Sequence, residues 1–471
     1  MCNSHAIKSG ARAGAAAQRG WFLTPKAATA DVNHWIGIRS VPQILPVFAL
    51  IAGSAFLMFA GGINGLIIPL RGSVEGFSPF GLGLLGSAWA FGYVGGCILV
   101  PHLVARVGHI RTFSVMCALA AISVLGSLLA IHIAVWLPMR LVCGFCFSGA
   151  AMIVESWLNE STGVERRGRV FGVYMTANLI ATTLGNLVIM AGDATGFVFF
   201  VLAALFYCLA LLPTALTSGR APPPLVQARL NLRLLWRNSP YAVVSIILVG
   251  ISNGAFGTMG AVFATSNNLP VTAVTLFMAL SLLAGALYQI PVGFLSDRFD
   301  RRWVLMALAC IAAAAELWFI LWRPAGIYEN LVAAAVFGGA IYSMYPVIVA
   351  HANDRAEPDT FLQISGGLLL LFGIGAIAGP AIGGAIMMFY GPAGLFLTTI
   401  CTHVLIVIYG LRRLSSRAEI AHEIKTEFVH TMPARLATPE SAVLDPRTSE
   451  IEMPSAPEDK PASATVSGRI A

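Results

Sequence analysis

Apolar residues are concentrated along the chain in blocks of about 20 residues, and short polar gaps separate one block from the next. An α-helix of about 20 residues is long enough to cross a hydrocarbon core of roughly 30 Å. We therefore predict twelve transmembrane helices. The blocks cover residues 44–70, 80–104, 113–133, 136–158, 169–191, 196–217, 241–265, 272–295, 303–322, 328–350, 361–389 and 393–411.

Composition supports a membrane protein over a soluble one. Hydrophobic residues make up 57% of the chain and charged residues only 11%, whereas an ordinary soluble domain carries about 25% charged residues. The formal net charge is +7, but the basic side chains lie in the gaps between blocks and follow no single face. We therefore expect an all-α integral membrane protein that contacts the lipid bilayer and binds no nucleic acid.

The distribution of arginine predicts the orientation, because Lys and Arg near short loops stay on the cytoplasmic side. The alternate loops, after blocks 2, 4, 6, 8 and 10, are rich in arginine, while the other loops hold Arg71 and Arg323. This alternation predicts an even number of helices and two cytoplasmic termini, in the plasma (bacterial inner) membrane. The arginines of the rich set are Arg106, Arg111, Arg166, Arg167, Arg169, Arg220, Arg229, Arg233, Arg237, Arg298, Arg301, Arg302 and Arg355.

Gap lengths and composition divide the chain into five parts. Residues 1–42 form a polar, basic extension without an apolar core long enough for a secretion signal, although an organellar transit peptide shares this composition. Residues 43–217 and 241–413 form two six-helix halves, joined by a proline- and arginine-rich cytoplasmic linker at 218–240. Residues 414–471 are rich in proline and acids, which predicts a disordered cytoplasmic tail.

The two halves share short motifs at a nearly constant offset. Block 1 contains Asn64 within Gly-Ile-Asn-Gly, and block 7 contains Asn253 within Ile-Ser-Asn-Gly, 189 residues later. Gly108 after block 2 corresponds to Asp300 after block 8 at an offset of 192 residues. These pairs predict that the two six-helix halves are pseudo-repeats of one another.

Several motifs resemble those of the major facilitator superfamily. GFLSDRFDRR at residues 293–302 is similar to that family's cytoplasmic loop signature, GxxxDRxGRR. The copy in the first half is degraded: Pro101 and Ala105 replace the usual glycine and acid, and Gly108 and Arg111 remain. Arg140, followed by small residues, resembles the family's fourth-helix pattern.

Two further motifs narrow the resemblance. The Gly-Pro motif that includes Gly379 and Pro380 resembles that of antiporter members, although it lies on block 11 where they carry it on block 5. ESWLNE at 155–160, followed by RGRVF at 167–171, most resembles the YcaD-like bacterial group. The superfamily resemblance covers about residues 44–413.

The resemblance implies a secondary active transporter that moves a small organic solute by alternating access. Membrane carboxylates favour proton coupling, and the Gly-Pro motif slightly favours export. We expect a monomer. Because blocks 1 and 7 line the central cavity in the family, Asn64 and Asn253 are the first substrate-site candidates, and the adjacent glycines admit either a ligand or a neighbouring helix. The further candidates are Asn178, Asn186, Tyr288 and Gln289. We expect little fixed charge in this cavity, and therefore a neutral, cationic or amphiphilic solute.

Charged residues near the loops are candidates for gating and coupling. Asp297 with the basic cluster of Arg298, Arg301 and Arg302 predicts a latch that holds the halves closed, although these arginines also set topology. Glu155 needs a partner in the membrane, and we expect an ion pair with Arg106, Arg111 or Arg169, or a role in proton coupling.

Two other charged residues lie inside blocks. Arg140 either influences proton movement, as the resemblance implies, or extends to the outer interface. Glu316 is the deepest acid, and we expect it to be protonated or to reach Arg323.

Motifs of other protein classes are missing from the sequence. There is no Gly-Lys pair for a phosphate-binding loop, no His-Glu-x2-His zinc motif and no Gly-x-Ser-x-Gly elbow. We therefore expect no enzyme, no cofactor and no metal, and we interpret Cys143 and Cys146 as small core residues. The alternative function is a non-transporting receptor or scaffold on the same fold, in which the tail binds a partner.

Overall fold

A computed structural model describes residues 44–162, 166–215, 231–357 and 360–414, together with Leu225, Lys425, residues 428–429 and residues 437–443. The predicted N-terminal extension, most of the linker and most of the tail lie outside these described residues. Every regular element in the described part of the chain is a helix.

The predicted blocks correspond to helices α1 to α12. Eleven of the described helices are long and apolar enough to span a membrane, and a shorter apolar helix at Val198–Pro213 stands at the sixth block. The predicted all-α membrane fold is confirmed. The bounds are α1 Ile44–Val74, α2 Pro79–Val107, α3 His109–Leu129, α4 Ile133–Ser161, α5 Arg167–Leu187, α6 Val198–Leu209, α7 Pro240–Ser266, α8 Val271–Arg298, α9 Arg301–Leu317, α10 Ile327–Asn353, α11 Phe361–Tyr390 and α12 Gly394–Leu414.

Local sequence explains where several of these helices begin. Ser78 and Ser239 precede the prolines that open α2 and α7, and each serine hydroxyl accepts a hydrogen bond from a backbone N–H of the first turn. Gly108 joins α2 to α3 with a φ of +91°, a backbone conformation that favours glycine. Asp300 caps α9 by accepting from the backbone N–H of Arg302 at 2.9 Å.

Glycines allow the backbones of the helices to come into contact, as small residues do in membrane bundles. A Cβ on Gly92 of α2 would overlap the carbonyl oxygen of Leu141 in α4, and one on Gly185 of α5 would overlap that of Phe59 in α1. In the second group of helices, a Cβ on Gly379 of α11 would overlap the carbonyl oxygen of Ile251 in α7. The α1–α5 contact therefore has its counterpart in α7–α11, as a six-helix pseudo-repeat requires.

The bundle has two ends that differ in charge and in packing. The basic end carries the loops after α2, α4, α8 and α10, with Arg106, Arg111, Arg298 and Arg355. At the opposite end, a Cβ on Gly83 of α2 would overlap the carbonyl oxygen of Pro380 in α11. Backbones of α2 and α11 thus touch at the opposite end, which closes the bundle there. The motif around Gly379 and Pro380 supplies this close packing.

Candidate functional site

A cavity with about 700 Å³ of space lies between α1, α2, α4, α5, α6, α7 and α11. Its aromatic wall contains Trp89, Phe147 and Tyr207, and its small and hydroxyl-bearing wall includes Thr182, Thr258 and several glycines. The figure of about 700 Å³ includes space that is open to solvent. Apolar and aromatic side chains with a few polar groups among them are the lining expected of a small-molecule site.

Asn64 and Asn253 both line this cavity, on α1 and α7. They are 2% and 1% exposed. Asn64 Nδ2 donates to Cys143 Sγ at 3.0 Å, and within the described part of the chain neither Oδ1 atom has a hydrogen-bond partner. Buried amide oxygens without a partner are costly, so both oxygens are available to a ligand that donates hydrogen bonds.

The glycines beside these asparagines serve different purposes. A Cβ on Gly65 would meet no atom within 4 Å, whereas one on Gly254 would lie 2.7 Å from the carbonyl oxygen of Ala376. Gly65 therefore borders open space in the cavity, and Gly254 allows α7 and α11 to approach. Of the two predicted uses, room for a ligand applies to the glycine of the first half, and close approach of a neighbouring helix applies to that of the second.

Arg140 brings a fixed positive charge into the cavity. It is only 6% exposed, and its Cζ lies 6.0 Å from the centroid of the Trp89 ring. Among the described residues that line the cavity there is no carboxylate. This corrects two expectations: Arg140 does not extend to the interface, and the cavity is not nearly free of charge. The reason is that this face of α4 packs against Trp89 of α2.

The other predicted cavity residues occupy helix contacts. Asn178 Oδ1 accepts from Ser54 Oγ at 2.9 Å, which joins α5 to α1. Asn186 lies beside Gly62, and the Tyr288 ring packs against Gly339 of α10. Neither these three residues nor the buried Gln289 is among the described residues that line the cavity. Their contact with a solute stays a prediction.

Sequence reasoning missed the aromatic wall of Trp89, Phe147 and Tyr207. Helical spacing alone cannot separate these aromatics from those that face lipid, because all are apolar residues in apolar helices. Whether an aromatic side chain faces the cavity or the lipid depends on the rotation of its helix about the helix axis.

Glu155 is buried toward the basic end of α4, where it is 1% exposed. Its carboxylate accepts hydrogen bonds from three hydroxyls: Tyr174 Oη at 2.9 Å, Ser441 Oγ at 2.9 Å and Thr438 Oγ1. The expected ion pair with Arg106, Arg111 or Arg169 is wrong. Those three arginines are exposed, while Glu155 points to the inner face of α4.

Two of these hydroxyls belong to a tail segment that the sequence predicted to be disordered. Residues 437–443 contain a short helix, α13 (Pro439–Val443), which packs against both α4 and α11. A sequence rich in proline and acids gives no helical signal of this kind.

The residues of the predicted latch form close contacts within the second half. Arg301 donates to Asp354 at 2.7 Å and to Ser296 at 2.8 Å, and lies 3.4 Å from Asp297. Arg302 donates to Asp300 at 2.9 Å and to the carbonyl oxygen of Arg413 at 3.2 Å. These bonds join the α8–α9 loop to α10 and α12. A latch between the halves stays a prediction.

The charge of Asp300 is stabilised by this network. Its burial raises the pKa, but hydrogen bonds from the Arg302 side chain and backbone outweigh that effect and hold the pKa of Asp300 below its usual value. The nearby Arg298 guanidinium lies 4.5 Å from the centroid of the Phe294 ring.

Glu316 pairs with a histidine for which the sequence predicts no role. His403 Nδ1 of α12 lies 2.9 Å from Glu316 Oε1, and both side chains are fully buried. The expected contact with Arg323 is wrong, because Arg323 Nε donates to the carbonyl oxygen of Ile320 instead.

Comparison with known proteins identifies the family. The sequence profile of the Major Facilitator Superfamily matches residues 8–186, 50–265 and 242–438. The uncharacterised MFS-type transporter YcaD of Escherichia coli O17:K52:H18 is 26% identical over 368 residues, covering 75% of this chain and 91% of the relative. An uncharacterised MFS-type transporter of Yersinia pestis (strain Pestoides F) is 23% identical over 357 residues, with the same coverage.

Solved structures of similar fold are also transporters. The nucleoside transporter NupG has a TM-score of 0.64 at 13% identity, covering 79% of this chain and 98% of NupG. An inward-facing, unoccupied bacterial homologue of the human lysosomal transporter Spinster has a TM-score of 0.66 at 16% identity, covering 81% of this chain and all of the homologue. The resemblance to the superfamily and to YcaD is confirmed. The chain belongs to the major facilitator superfamily, and it is a multi-pass membrane transporter and not an enzyme.

Proposed function

We propose that this chain transports a small organic anion through the cavity between its two halves by alternating access. The observation that carries the proposal is the cavity lining, which combines the Arg140 guanidinium with two asparagine oxygens and an aromatic wall. A guanidinium binds carboxylate or phosphate groups with paired hydrogen bonds. A solute with one anionic group, a hydroxyl or amine donor and an apolar body matches these three features.

We further propose an orientation and a driving force. Because Arg-rich loops stay in the cytoplasm, the basic end faces the cytoplasm of a bacterial inner membrane, with both termini on that side. The transporter works as a monomer and couples to protons. Glu155 is the coupling residue, since a buried carboxylate toward the basic end can exchange a proton when the hydroxyls that contact it move away. Export is the proposed direction.

The first experiment is a thermal-stability screen of the detergent-purified protein at two pH values. The ligand classes are carboxylic acids, phosphorylated metabolites, amino acids, sugars and amines. A ligand at 100 times its dissociation constant stabilises the native state by about 2.7 kcal/mol, which such a screen registers. We expect the acids to stabilise the protein and the amines to leave its melting temperature unchanged.

Variants then test whether the ligand binds in the cavity. Arg140→Gln, Asn64→Ala and Asn253→Ala should abolish the shift, while Arg140→Lys should retain part of it because the charge remains. Asn267→Ala is the matched control, since Asn267 lies exposed at the end of α7 and, among the bonds described, its side-chain amide donates only to the carbonyl oxygen of Phe263 in the same helix. Stabilisation by amines that survives Arg140→Gln would contradict the anionic class.

Flux in proteoliposomes tests the driving force. A pH gradient should accelerate movement of the identified acid, and the acid should in turn move protons. Glu155→Gln should uncouple the two. Binding without any flux would favour the receptor alternative.

A further inference from the structure

A segment of the C-terminal tail, residues 437–441, packs within the helix bundle. Tyr93 is the fifteenth of the 29 residues of α2, so it lies halfway along that helix. Its hydroxyl donates to the carbonyl oxygen of Ala437 at 3.0 Å. With a rise of 1.5 Å per residue, Tyr93 is roughly 21 Å from either end of α2. Ala437 therefore lies near the middle of α2, deep within the bundle.

This segment is as buried as the core around it. Thr438 is 1% exposed, Glu440 3% and Ala437 8%. Thr438 and Ser441 supply two of the three hydroxyls that hydrogen-bond the Glu155 carboxylate. A buried acid needs such partners to offset the cost of its burial, so these bonds hold the segment at a defined position.

The segment also separates the two halves. Helix α13 packs against α4 of the first half and α11 of the second. Between the central cavity and the basic end lies a smaller pocket, lined by Tyr93 and Cys97 of α2 and by Leu369 and Phe372 of α11. Trp89 and Ala90 line both this pocket and the central cavity, so solute that leaves toward the basic end would meet the tail segment.

We propose that residues 437–441 are an autoinhibitory plug, and that the groove between α4 and α11 around Glu155 is its binding site. Alternating access requires the halves to close at the basic end, and a segment wedged between α4 and α11 prevents that closure. The plug also blocks the path of solute. An inhibitory role for the plug rests on the proposed transport function. The tests below measure whether the segment binds and covers this groove, and they require no transport.

The first test measures access to Cys97, which is 3% exposed in the pocket beside Tyr93. The full-length protein and a variant lacking residues 430–471 are treated with N-ethylmaleimide, and each labelled cysteine is quantified by mass spectrometry. Cys117, fully buried in α3, is the internal reference. We expect Cys97 to react at least about tenfold faster without the tail, the change that ~1.4 kcal/mol of closure produces.

Substitutions within the full-length protein control for the effect of truncation. Thr438→Glu combined with Ser441→Glu places carboxylates beside Glu155, and like-charge repulsion should release the segment. Labelling of Cys97 should then rise as it does on truncation. Thr448→Glu combined with Ser449→Glu adds the same charge to the tail outside the described segment and should leave labelling unchanged.

The second test adds the segment as a separate molecule. A fluorescein-labelled peptide of residues 431–446 is titrated into the truncated protein, at concentrations up to the millimolar range that a tether provides. We expect saturable binding, slower Cys97 labelling, and loss of both when the peptide carries the two glutamates. Equal Cys97 labelling in all variants together with no saturable binding would overturn the plug. If these tests succeed and flux is absent, only the transport proposal fails.

Discussion

Among the described residues of the two halves, Glu155 and Glu316 are the buried glutamates, and the two differ in their hydrogen-bond partners. Glu316 of α9 pairs with His403 of α12, a partner held within a packed transmembrane helix. Glu155 of α4 accepts from Tyr174 of α5 and from two residues of the tail. Both carboxylates need partners to offset the cost of burial. The tail partners of Glu155 can leave without the unpacking of a transmembrane helix, whereas His403 cannot leave Glu316 in this way. The environment of Glu155 therefore depends on where the tail lies, and we call the Glu316–His403 contact the permanent pair.

The largest expected effect is on the permanent pair. His403→Leu leaves Glu316 buried without the only partner that the described contacts give it, and removal of one partner from a buried pair costs about 3–5 kcal/mol. We expect a large fall in the melting temperature of the detergent-purified protein.

The matched control removes both polar groups. Glu316→Met combined with His403→Leu leaves no unpaired buried polar group, and replacement of a buried pair by apolar residues is often neutral or stabilising. Most of the lost stability should return. If the double variant is no more stable than His403→Leu alone, the Glu316–His403 pair does not determine the stability of this region. That result would contradict the proposed difference between Glu316 and Glu155.

Removal of the tail should lower the stability of the folded protein less than His403→Leu does. A protein without residues 430–471 loses two hydroxyls from Glu155, but water from the basic end can replace them, so we expect a loss of about 1–2 kcal/mol. The measurement is the same thermal unfolding. A variant that lacks only residues 450–471 keeps the segment at 437–443 and should match the full-length protein. A loss as large as that of His403→Leu would make the tail a permanent part of the fold.

The helices of this protein were predictable from sequence because their signal is local. Blocks of apolar residues correspond to α1–α12, and the proline-preceding serines at 78 and 239 explain where two of them begin. The sixth block was the exception: a predicted span at 196–217 contains α6, which ends at Leu209, followed by a short helix at Leu211–Ala215. An interruption of one residue in the helical hydrogen-bond pattern leaves no mark on hydropathy.

The partners of the buried charges were not predictable, because they depend on residues distant in sequence. Thr438 lies 283 residues from Glu155, and His403 lies 87 residues from Glu316. Arg140 illustrates a second limit. Its position along α4 was evident, but the rotation of α4, which turns it toward Trp89, depends on packing between helices.

A milder change at Glu155 sharpens the comparison. Glu155→Gln keeps a carbonyl oxygen that can accept from Tyr174 or Ser441, and it removes the charge, so the full-length protein should lose about 1 kcal/mol or less. The segment should also be held less firmly, and Cys97 labelling should rise. Glu316→Gln is the control for a fixed environment, and it should leave Cys97 labelling at the level of the unaltered protein. Equal effects of both variants on Cys97 would show that the labelling reports general loosening.

The smallest effect is expected at Asp300, a carboxylate at the rim whose partner Arg302 is two residues away. Because its pKa is lowered in the folded protein, the stability it contributes is fully present above the unfolded pKa of about 3.9. That stability is lost as pH falls through the folded pKa. Asp300→Asn should therefore lower the melting temperature by the same small amount at every pH from 8 to about 5, and the difference should shrink below about pH 4. A difference that grew on acidification would mean that the folded protein favours the protonated acid, contrary to the contacts with Arg302.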